Sequence, residues 1–109
     1  MKKVYFLKTC STCKRIMSEF DLTDFEQREI KSKAVSEEEL QEMYALSKSY
    51  EALFSKKSTQ IKERNIEVKS LQEEDFKKLI LEDYRFLKRP VFIINQEIFI
   101  GEKNLIPPT

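Results

Sequence analysis

The residues with the clearest chemical potential are two cysteines separated by two hydroxyl residues. The motif is Cys10-Ser11-Thr12-Cys13, and it follows the apolar run at residues 4–7, which predicts a buried strand. Apolar residues at helical spacing come next, so the motif opens a helix. A helix N-terminus carries free N–H groups and about half a positive charge, which biases a thiol there toward the reactive thiolate. We therefore predict Cys10 as an N-cap nucleophile and Cys13 as the thiol that resolves a mixed disulfide.

Other interpretations of the two cysteines stay open on the sequence alone. A structural zinc site usually has four Cys or His ligands, and the chain has two cysteines and no histidine, so zinc would need a second chain or carboxylate ligands. Two incidental cysteines remain possible, and a purely structural disulfide is disfavoured in a reducing compartment. The strand-motif-helix context favours thiolate chemistry over these. Lys8, Lys14 and Arg15 flank the motif and add positive potential.

Two basic segments have a simpler interpretation from residue types alone. Lys88-Arg89-Pro90 stands directly before another apolar run, and proline suits the first residue of a strand because it cannot donate to the ladder. A strand boundary with a solvated basic pair is therefore the preferred interpretation at this point. Lys56-Lys57 is likewise interpreted as a solvated helix end.

The spacing of apolar residues predicts strands at both ends of the chain and helices in the middle. Predicted strands cover residues 4–7, 25–30, 91–94 and 98–100, and predicted helices cover residues 11–20, 37–47, 50–54, 58–64 and 72–84. Ser36 with Glu39, and Ser70 with Glu73, predict capping boxes that start two of these helices. The first strand, helix and second strand form a βαβ unit, and Asn95-Gln96 is predicted as the turn of a C-terminal hairpin.

Composition limits the class of protein. The 109 residues include 20 Lys and Arg against 19 Asp and Glu, and this near-neutral balance argues against direct nucleic-acid binding. Eight Phe and four Tyr supply a core for one domain. The apolar run at residues 4–7 stops at Lys8, too early for a secretory signal, and no stretch approaches the roughly 20 apolar residues of a membrane span. We expect a soluble cytoplasmic protein without membrane contact.

The order of these motifs resembles the arsenate reductase and Spx superfamily. Four segments carry the resemblance in the family's order: residues 4–15, with the cysteine motif, and residues 52–58, 88–94 and 98–101. The resemblance implies an α/β, thioredoxin-like fold in which the βαβ unit and the C-terminal ββ hairpin form a mixed sheet. It implies one arsenate-reductase-like domain over residues 1–109, with a helical insertion at about residues 36–86.

The resemblance also implies roles for individual residues. In arsenate reductases the cysteine that matches Cys10 attacks the oxyanion, and the arginine that matches Arg89 binds this anion. Pro90 is expected to be cis, to face the cysteine loop and to organise its backbone. Cys13 matches the Cys-x-x-Cys motif of Spx-like members, whereas glutathione-dependent arsenate reductases usually carry serine there. Lys57 lies near the expected place of another basic residue.

The expected substrate-binding residues follow from the motif and the resemblance together. They are Ser11, Thr12, Lys14, Lys57 and Pro90. Gly101 stands in the region where the family's third anion-binding arginine is expected, so Arg89 is the clear match among the three. The substrate class therefore stays open between an oxyanion and a disulfide.

Two functions from different classes are weighed. The preferred one is a thiol-dependent oxidoreductase that acts on a small oxyanion or thiol substrate, with no bound cofactor and an external donor, either glutathione with glutaredoxin or thioredoxin. The alternative is an Spx-like regulator that binds RNA polymerase or another protein through a Cys10–Cys13 dithiol/disulfide switch. A family member without catalysis is the third possibility. We expect a monomer or weak homodimer, in which the family's C-terminal helix is missing after Pro107-Pro108.

Overall fold

The computed structural model describes residues Lys2–Gly101, which belong to two compact units. The first unit contains the described residues up to Lys33 and from Arg89 onward, and the second contains Ala34–Lys88. The insertion predicted at about residues 36–86 lies within the second unit. The interpretation of the whole chain as one domain stays a prediction.

The first unit is built on a four-stranded mixed sheet. Its elements are β1 (Lys2–Phe6), α1 (Ser11–Met17), β2 (Glu26–Glu29), β3 (Val91–Ile94) and β4 (Glu97–Ile100). The strand order is β2-β1-β3-β4, with β1 parallel to β2 and antiparallel to β3, and with β3 antiparallel to β4. This topology confirms the predicted βαβ unit followed by a C-terminal hairpin. It places α1 and the cysteine motif directly after a central strand.

The core of this unit joins α1 to the two central strands. Val4, Ile16 and Phe92 form a buried cluster with at most 3% exposure. The rings of Phe20 and Phe25 meet the ring of Phe92 edge-on, with centroids 5.6 and 5.9 Å apart. This packing fixes α1 against the sheet, and with it the position of the residues at the start of the helix.

Helix α1 is shorter than the prediction of residues 11–20. It ends at Met17, and the chain then continues in turns in which the N–H of Glu19 donates to the carbonyl of Ile16 and that of Phe20 to Met17. These tighter bonds satisfy carbonyl groups at the helix end. They also bring Phe20 to the core, which explains why its spacing looked helical.

The C-terminal hairpin has the two-residue turn that the sequence predicts. Ile94 pairs with Glu97, and Asn95 adopts a φ of 58° between them. Tight hairpin turns require such positive φ values, and Asn tolerates them well. Strand β4 begins at Glu97, one residue before the predicted range.

The second unit is helical. Its elements are α2 (Glu37–Ser47), α3 (Tyr50–Leu53), α4 (Thr59–Glu63) and α5 (Glu73–Glu82), with 3₁₀ turns at Val68–Ser70 and Tyr84–Phe86. Helix α2 has the predicted bounds and the predicted capping box, because the Ser36 hydroxyl accepts the N–H of Glu39 and the Glu39 carboxylate accepts the N–H of Ser36. Phe54 packs between Phe76 and Phe86, with ring centroids 4.9 and 5.4 Å away.

The second predicted capping box is wrong. The Ser70 hydroxyl donates to the carbonyl of Glu67 and closes a 3₁₀ turn, so it is not available to cap a helix. Helix α5 starts two residues later than this box implies, with Gln72 as N-cap and its N–H bound by the Asp75 carboxylate. The Glu73 carboxylate instead accepts N–H groups at the start of α3. Glu73 therefore binds backbone groups that are distant in sequence and does not form the cap that the local pattern predicts.

Two expectations fall at the limits of the described chain. The prediction that the family's C-terminal helix is missing after Pro107-Pro108 concerns residues outside the described part of the chain. Within Lys2–Gly101, no helix is long and apolar enough to cross a membrane.

Candidate active site

The turn after β1 sets the position of the cysteine motif. Leu7 is buried, and its carbonyl accepts the N–H of Cys10 at 3.1 Å, which closes a tight turn. The Cys10 carbonyl then accepts the N–H of Lys14 at 3.1 Å, the first bond of α1. Cys10 itself has extended backbone angles and is the N-cap residue, as the sequence predicts.

The two thiols have different access to solvent. Both cysteines are free thiols; Cys10 is partly exposed, whereas Cys13 is 1% exposed. Of the two thiols, that of Cys10 is therefore the more accessible to solvent. Cys13 lies on the inner side of α1, behind Cys10.

The surroundings of Cys10 favour its thiolate. Partial burial acts to raise the pKa of this thiol, but other groups outweigh it: the N–H and thiol of Cys13, the charge of Arg89 and the N–H of Thr12. The pKa of Cys10 therefore lies below the ordinary value. Because the thiolate is the nucleophile, this environment favours the reactive form of Cys10.

The surroundings of Cys13 have the opposite effect. The pKa of the Cys13 thiol is raised to about 12, chiefly by burial and also by the hydrogen bond and negative charge of Cys10, which together outweigh the N–H of Leu7 and the charge of Arg89. Cys13 therefore keeps its proton while Cys10 carries the negative charge. The pair holds one thiolate and one thiol.

Arg89 and Pro90 belong to the same unit as the cysteines. The Arg89–Pro90 peptide bond is cis, as the resemblance implies. Arg89 is half-buried, and its charge lowers the pKa of both Cys10 and Cys13, so the interpretation of Arg89 as a solvated basic residue is wrong. Pro90 is buried, and its carbonyl accepts the N–H of Gly101 at 2.9 Å. That Pro90 faces the cysteine loop stays a prediction.

The other predicted binding residues divide between the two units. Ser11 and Lys14 are exposed on α1, and Thr12 is half-buried beside Cys10. Lys57 is exposed in the loop between α3 and α4, in the second unit. Its contribution to the cysteine site therefore stays a prediction.

Glu29 is a residue of this site that the sequence analysis missed. Its carboxylate accepts the N–H of Lys8 at 3.1 Å and the N–H of Ser32 at 2.6 Å. It thus joins the loop that leads to the cysteines to the loop after β2. No local pattern indicates this role, because Lys8 lies 21 residues away in sequence.

A cavity of about 460 Å³ adjoins the buried cysteine. Its lining comes from the end of β1, the turn that follows and one side of α1: Phe6, Leu7, Lys8, Cys13, Lys14 and Met17. The wall is mainly apolar, with two lysines among the six residues. For a metal, in contrast, no group of three or more His, Cys, Asp or Glu side chains is suitably placed anywhere in Lys2–Gly101.

A βαβ unit and a ββ hairpin in one mixed sheet, with a Cys-x-x-Cys motif at the start of the first helix, define a thioredoxin-like α/β protein. The particular family follows from the sequence: the model of the ArsC family matches residues 5–105, and the chain belongs to this family. Family membership supports a thiol-dependent reductase. A comparison with curated proteins gives no match.

Solved structures share this fold. A protein described as ArsC-family-related from Bacteroides fragilis matches with a TM-score of 0.77 at 21% identity, over 94% of this chain and 90% of that one. The YFFB (PA3664) protein matches with a TM-score of 0.76 at 20% identity, over 95% and 93%. An arsenate reductase from Vibrio cholerae matches with a TM-score of 0.73 at 20% identity, over 92% and 88%. These matches confirm the thioredoxin-like fold.

Proposed function

We propose that this protein is a thiol-dependent oxidoreductase with Cys10 as its nucleophile and Cys13 as its resolving thiol. The observation that carries the proposal is the opposite shift of the two thiol pKa values beside Arg89. Cys10 is partly exposed and activated, and Cys13 is buried and protonated. This division of roles suits two successive attacks by two different thiols.

The first step is attack by the Cys10 thiolate on the substrate. With a disulfide substrate, a Cys10–substrate disulfide forms and one substrate thiolate leaves. With an oxyanion, the Cys10 sulfur bonds to the central atom and an oxygen leaves as water after protonation. In either case we assign Arg89 to bind the negative charge that develops on the substrate. We assign Ser11, Thr12 and Lys14, at the start of α1, to contact the substrate.

The second step is attack by Cys13 on the Cys10 sulfur. Burial keeps the pKa of Cys13 high throughout, but the negative charge of Cys10, which also raises that pKa, is lost when the Cys10 adduct forms. Cys13 therefore loses its proton more readily after the first step than before it. The bond between Cys10 and the substrate breaks, and its electron pair leaves with the second substrate thiolate or with the central atom of the oxyanion, which is thereby reduced by two electrons. The protein product is a Cys10–Cys13 disulfide, which an external dithiol or glutathione donor returns to the reduced state.

The test is turnover with two substrates and two donors. Arsenate and bis(2-hydroxyethyl) disulfide are each supplied to the reduced protein with glutathione plus glutaredoxin, and separately with thioredoxin plus its reductase. The rate of each donor system without this protein is subtracted, and we expect the remaining turnover to be lost in Cys10→Ser. Cys13→Ser is expected to stop at an adduct on Cys10, which intact-mass spectrometry detects.

The same experiment separates the enzyme from a regulator. Turnover that persists in Cys10→Ser contradicts the proposed nucleophile. No turnover under any condition contradicts the enzyme, and binding of RNA polymerase or another protein by only one redox form would then favour the Spx-like alternative. The two forms for that comparison are the reduced protein and the Cys10–Cys13 disulfide.

A further inference from the structure

We propose that the cavity beside Cys13 binds an apolar substrate arm that carries a carboxylate, so that the protein prefers apolar, anionic disulfides to small polar ones. This inference rests on the proposed function and adds the substrate class to it. The occupant is a small molecule, one half of a disulfide whose sulfur reaches Cys10.

The size and lining of the cavity favour an organic group. Its volume of about 460 Å³ falls in the range of small-molecule pockets, roughly 300–1,000 Å³. Phe6 and Leu7 supply its wall at the end of β1, and Met17 supplies the wall at the end of α1. Phe6 and Met17 also pack against the core of the first unit, so this wall is held in place. Burial of an aromatic or aliphatic arm here removes apolar surface from water.

The charges around the cavity favour an anion. Lys8 and Lys14 both line it, one from the turn after β1 and one from α1, and both are exposed. None of the six lining residues carries a carboxylate. The nearby Glu29 carboxylate is bound by the N–H groups of Lys8 and Ser32 and is not part of the lining. A carboxylate on the substrate arm therefore meets two positive charges.

The cavity lies where it can assist both steps of disulfide reduction. The Cys10 thiolate attacks one sulfur of the substrate, a Cys10–substrate disulfide forms, and the other half leaves as a thiolate. Cys13 then gives its proton to solvent and attacks the Cys10 sulfur, which releases the bound half as a second thiolate. Two electrons pass from the two cysteines to the substrate, and an external dithiol restores them. Because Cys13 lines the cavity, an arm bound there keeps the mixed disulfide beside the resolving thiol.

The kinetic test compares disulfides of different chemistry. Stopped-flow rates of the reduced protein are measured with 5,5′-dithiobis(2-nitrobenzoate), with neutral aromatic 4,4′-dithiodipyridine and with bis(2-hydroxyethyl) disulfide. Each rate constant is divided by that of 2-mercaptoethanol at the same pH, which cancels the intrinsic reactivity of the disulfide. We expect the normalised rate to be at least about tenfold higher for the aromatic carboxylate than for the hydroxyethyl compound, as expected for burial of one aromatic arm.

Charge variants test the role of the lysines. Lys14→Gln is expected to lower the ratio of the normalised rate with the aromatic carboxylate to that with 4,4′-dithiodipyridine by about threefold, in line with a single screened charge. Lys2→Gln is the matched control, because Lys2 lies at the other end of β1, over the ring of Phe25. Equal effects of the two variants would overturn the assignment of Lys14.

A binding test is independent of catalysis. Cys10→Ser protein labelled at its methionine methyl groups is titrated with 2-naphthoate, and 2-naphthalenemethanol serves as the uncharged comparison. We expect the Met17 methyl signal to shift with naphthoate, and the fully buried Met43 of the second unit is the internal control. A shift of Met17 without any enzyme turnover supports the cavity and rejects the proposed function. Turnover with equal normalised rates and no shift of Met17 rejects the cavity and leaves the proposed function standing.

Discussion

Cys10 and Cys13 lie one helical turn apart, yet their surroundings shift the two thiol pKa values in opposite directions. The lowered value belongs to the partly exposed Cys10 and the raised value to the buried Cys13. Each cysteine contributes to the state of the other, since the Cys13 thiol donates to Cys10 and the Cys10 charge acts on Cys13. The pair therefore functions as a unit, and Arg89 is the positive charge that both members share.

Removal of the Arg89 charge should raise the pKa of Cys10. The reactive thiolate fraction at neutral pH falls as a result, so Arg89→Gln is expected to alkylate more slowly with iodoacetamide than the unaltered protein. Arg89→Lys retains the charge and is expected to retain most of the reactivity, although it lacks the guanidinium fork. The measurement is the alkylation rate of Cys10 against pH, followed by peptide mass spectrometry. Identical pH profiles for the three proteins would show that Arg89 does not activate Cys10.

The raised pKa of Cys13 predicts a loss of stability in alkali. Above the pKa of an unfolded thiol, about 8.5, the unfolded chain releases the Cys13 proton while the folded protein keeps it. The free energy of unfolding therefore decreases as pH rises from there toward about 12, the pKa of folded Cys13. Below the unfolded pKa the thiol is protonated in both states, so the stability has its full value there.

Urea unfolding against pH measures this effect. The proteins compared are Cys10→Ser and the double variant Cys10→Ser/Cys13→Ala, because Cys13→Ala alone would also change the pKa of Cys10. We expect the difference in unfolding free energy between the two proteins to change with pH only above the ordinary thiol range. A difference that stays constant from neutral pH to alkali would contradict a protonated, buried Cys13.

Glu29 should stabilise the turn that carries the cysteines. Glu29→Ala removes the acceptor for the N–H groups of Lys8 and Ser32, which are charge-assisted hydrogen bonds at a partly exposed site, and we expect a loss of about 1 kcal/mol. Glu26→Ala, at an exposed position of the same strand, is the matched control and should cost less. Urea unfolding gives the free energies, and faster amide exchange at Lys8 locates the effect. Equal losses of unfolding free energy in both variants would contradict the role of Glu29 in stabilising the turn before the cysteines.

The pH dependence of the Glu29 contribution has a definite sign. Partial burial opposes ionisation of this carboxyl, but the N–H and hydroxyl of Ser32 and the N–H of Lys8 outweigh it and hold its pKa below the ordinary value. The stabilisation is therefore present above the unfolded pKa and is lost as pH falls through the folded one. The difference between Glu29→Ala and the unaltered protein should shrink in acid.

Local signals in the sequence predict most of the fold and the position of the nucleophile. Ser36 and Glu39 bind each other's backbone N–H groups across three residues, so their capping box can be predicted from the local sequence. The turn at Asn95 can be predicted in the same way, because asparagine tolerates a positive φ. Cys10 is found as N-cap in the same way, from the strand before it and the helix after it. These features depend on neighbours that the sequence shows directly.

The features that sequence reasoning missed depend on partners that are distant along the chain. Ser70 and Glu73 match a capping box, but Glu73 binds backbone groups more than 20 residues away and Ser70 closes a separate turn. Glu29 receives the N–H of Lys8 across 21 residues. The position of Arg89 depends on distant partners too, because its charge acts on Cys10 and Cys13, which lie far earlier in the chain.

Gly101 should be sensitive to the gain of a side chain for conformational reasons alone. It has a φ of 66°, and an added Cβ would meet no atom within 4 Å, so Gly101→Ala creates no clash. An L-residue with this φ costs about 1 kcal/mol, and Asn, which tolerates the left-handed region better, should cost less. The N–H of Gly101 donates to the Pro90 carbonyl, so the strain at residue 101 should also weaken this hydrogen bond at the start of β3. Urea unfolding of Gly101→Ala and Gly101→Asn measures the difference, and an alanine variant as stable as the unaltered protein would contradict the positive φ.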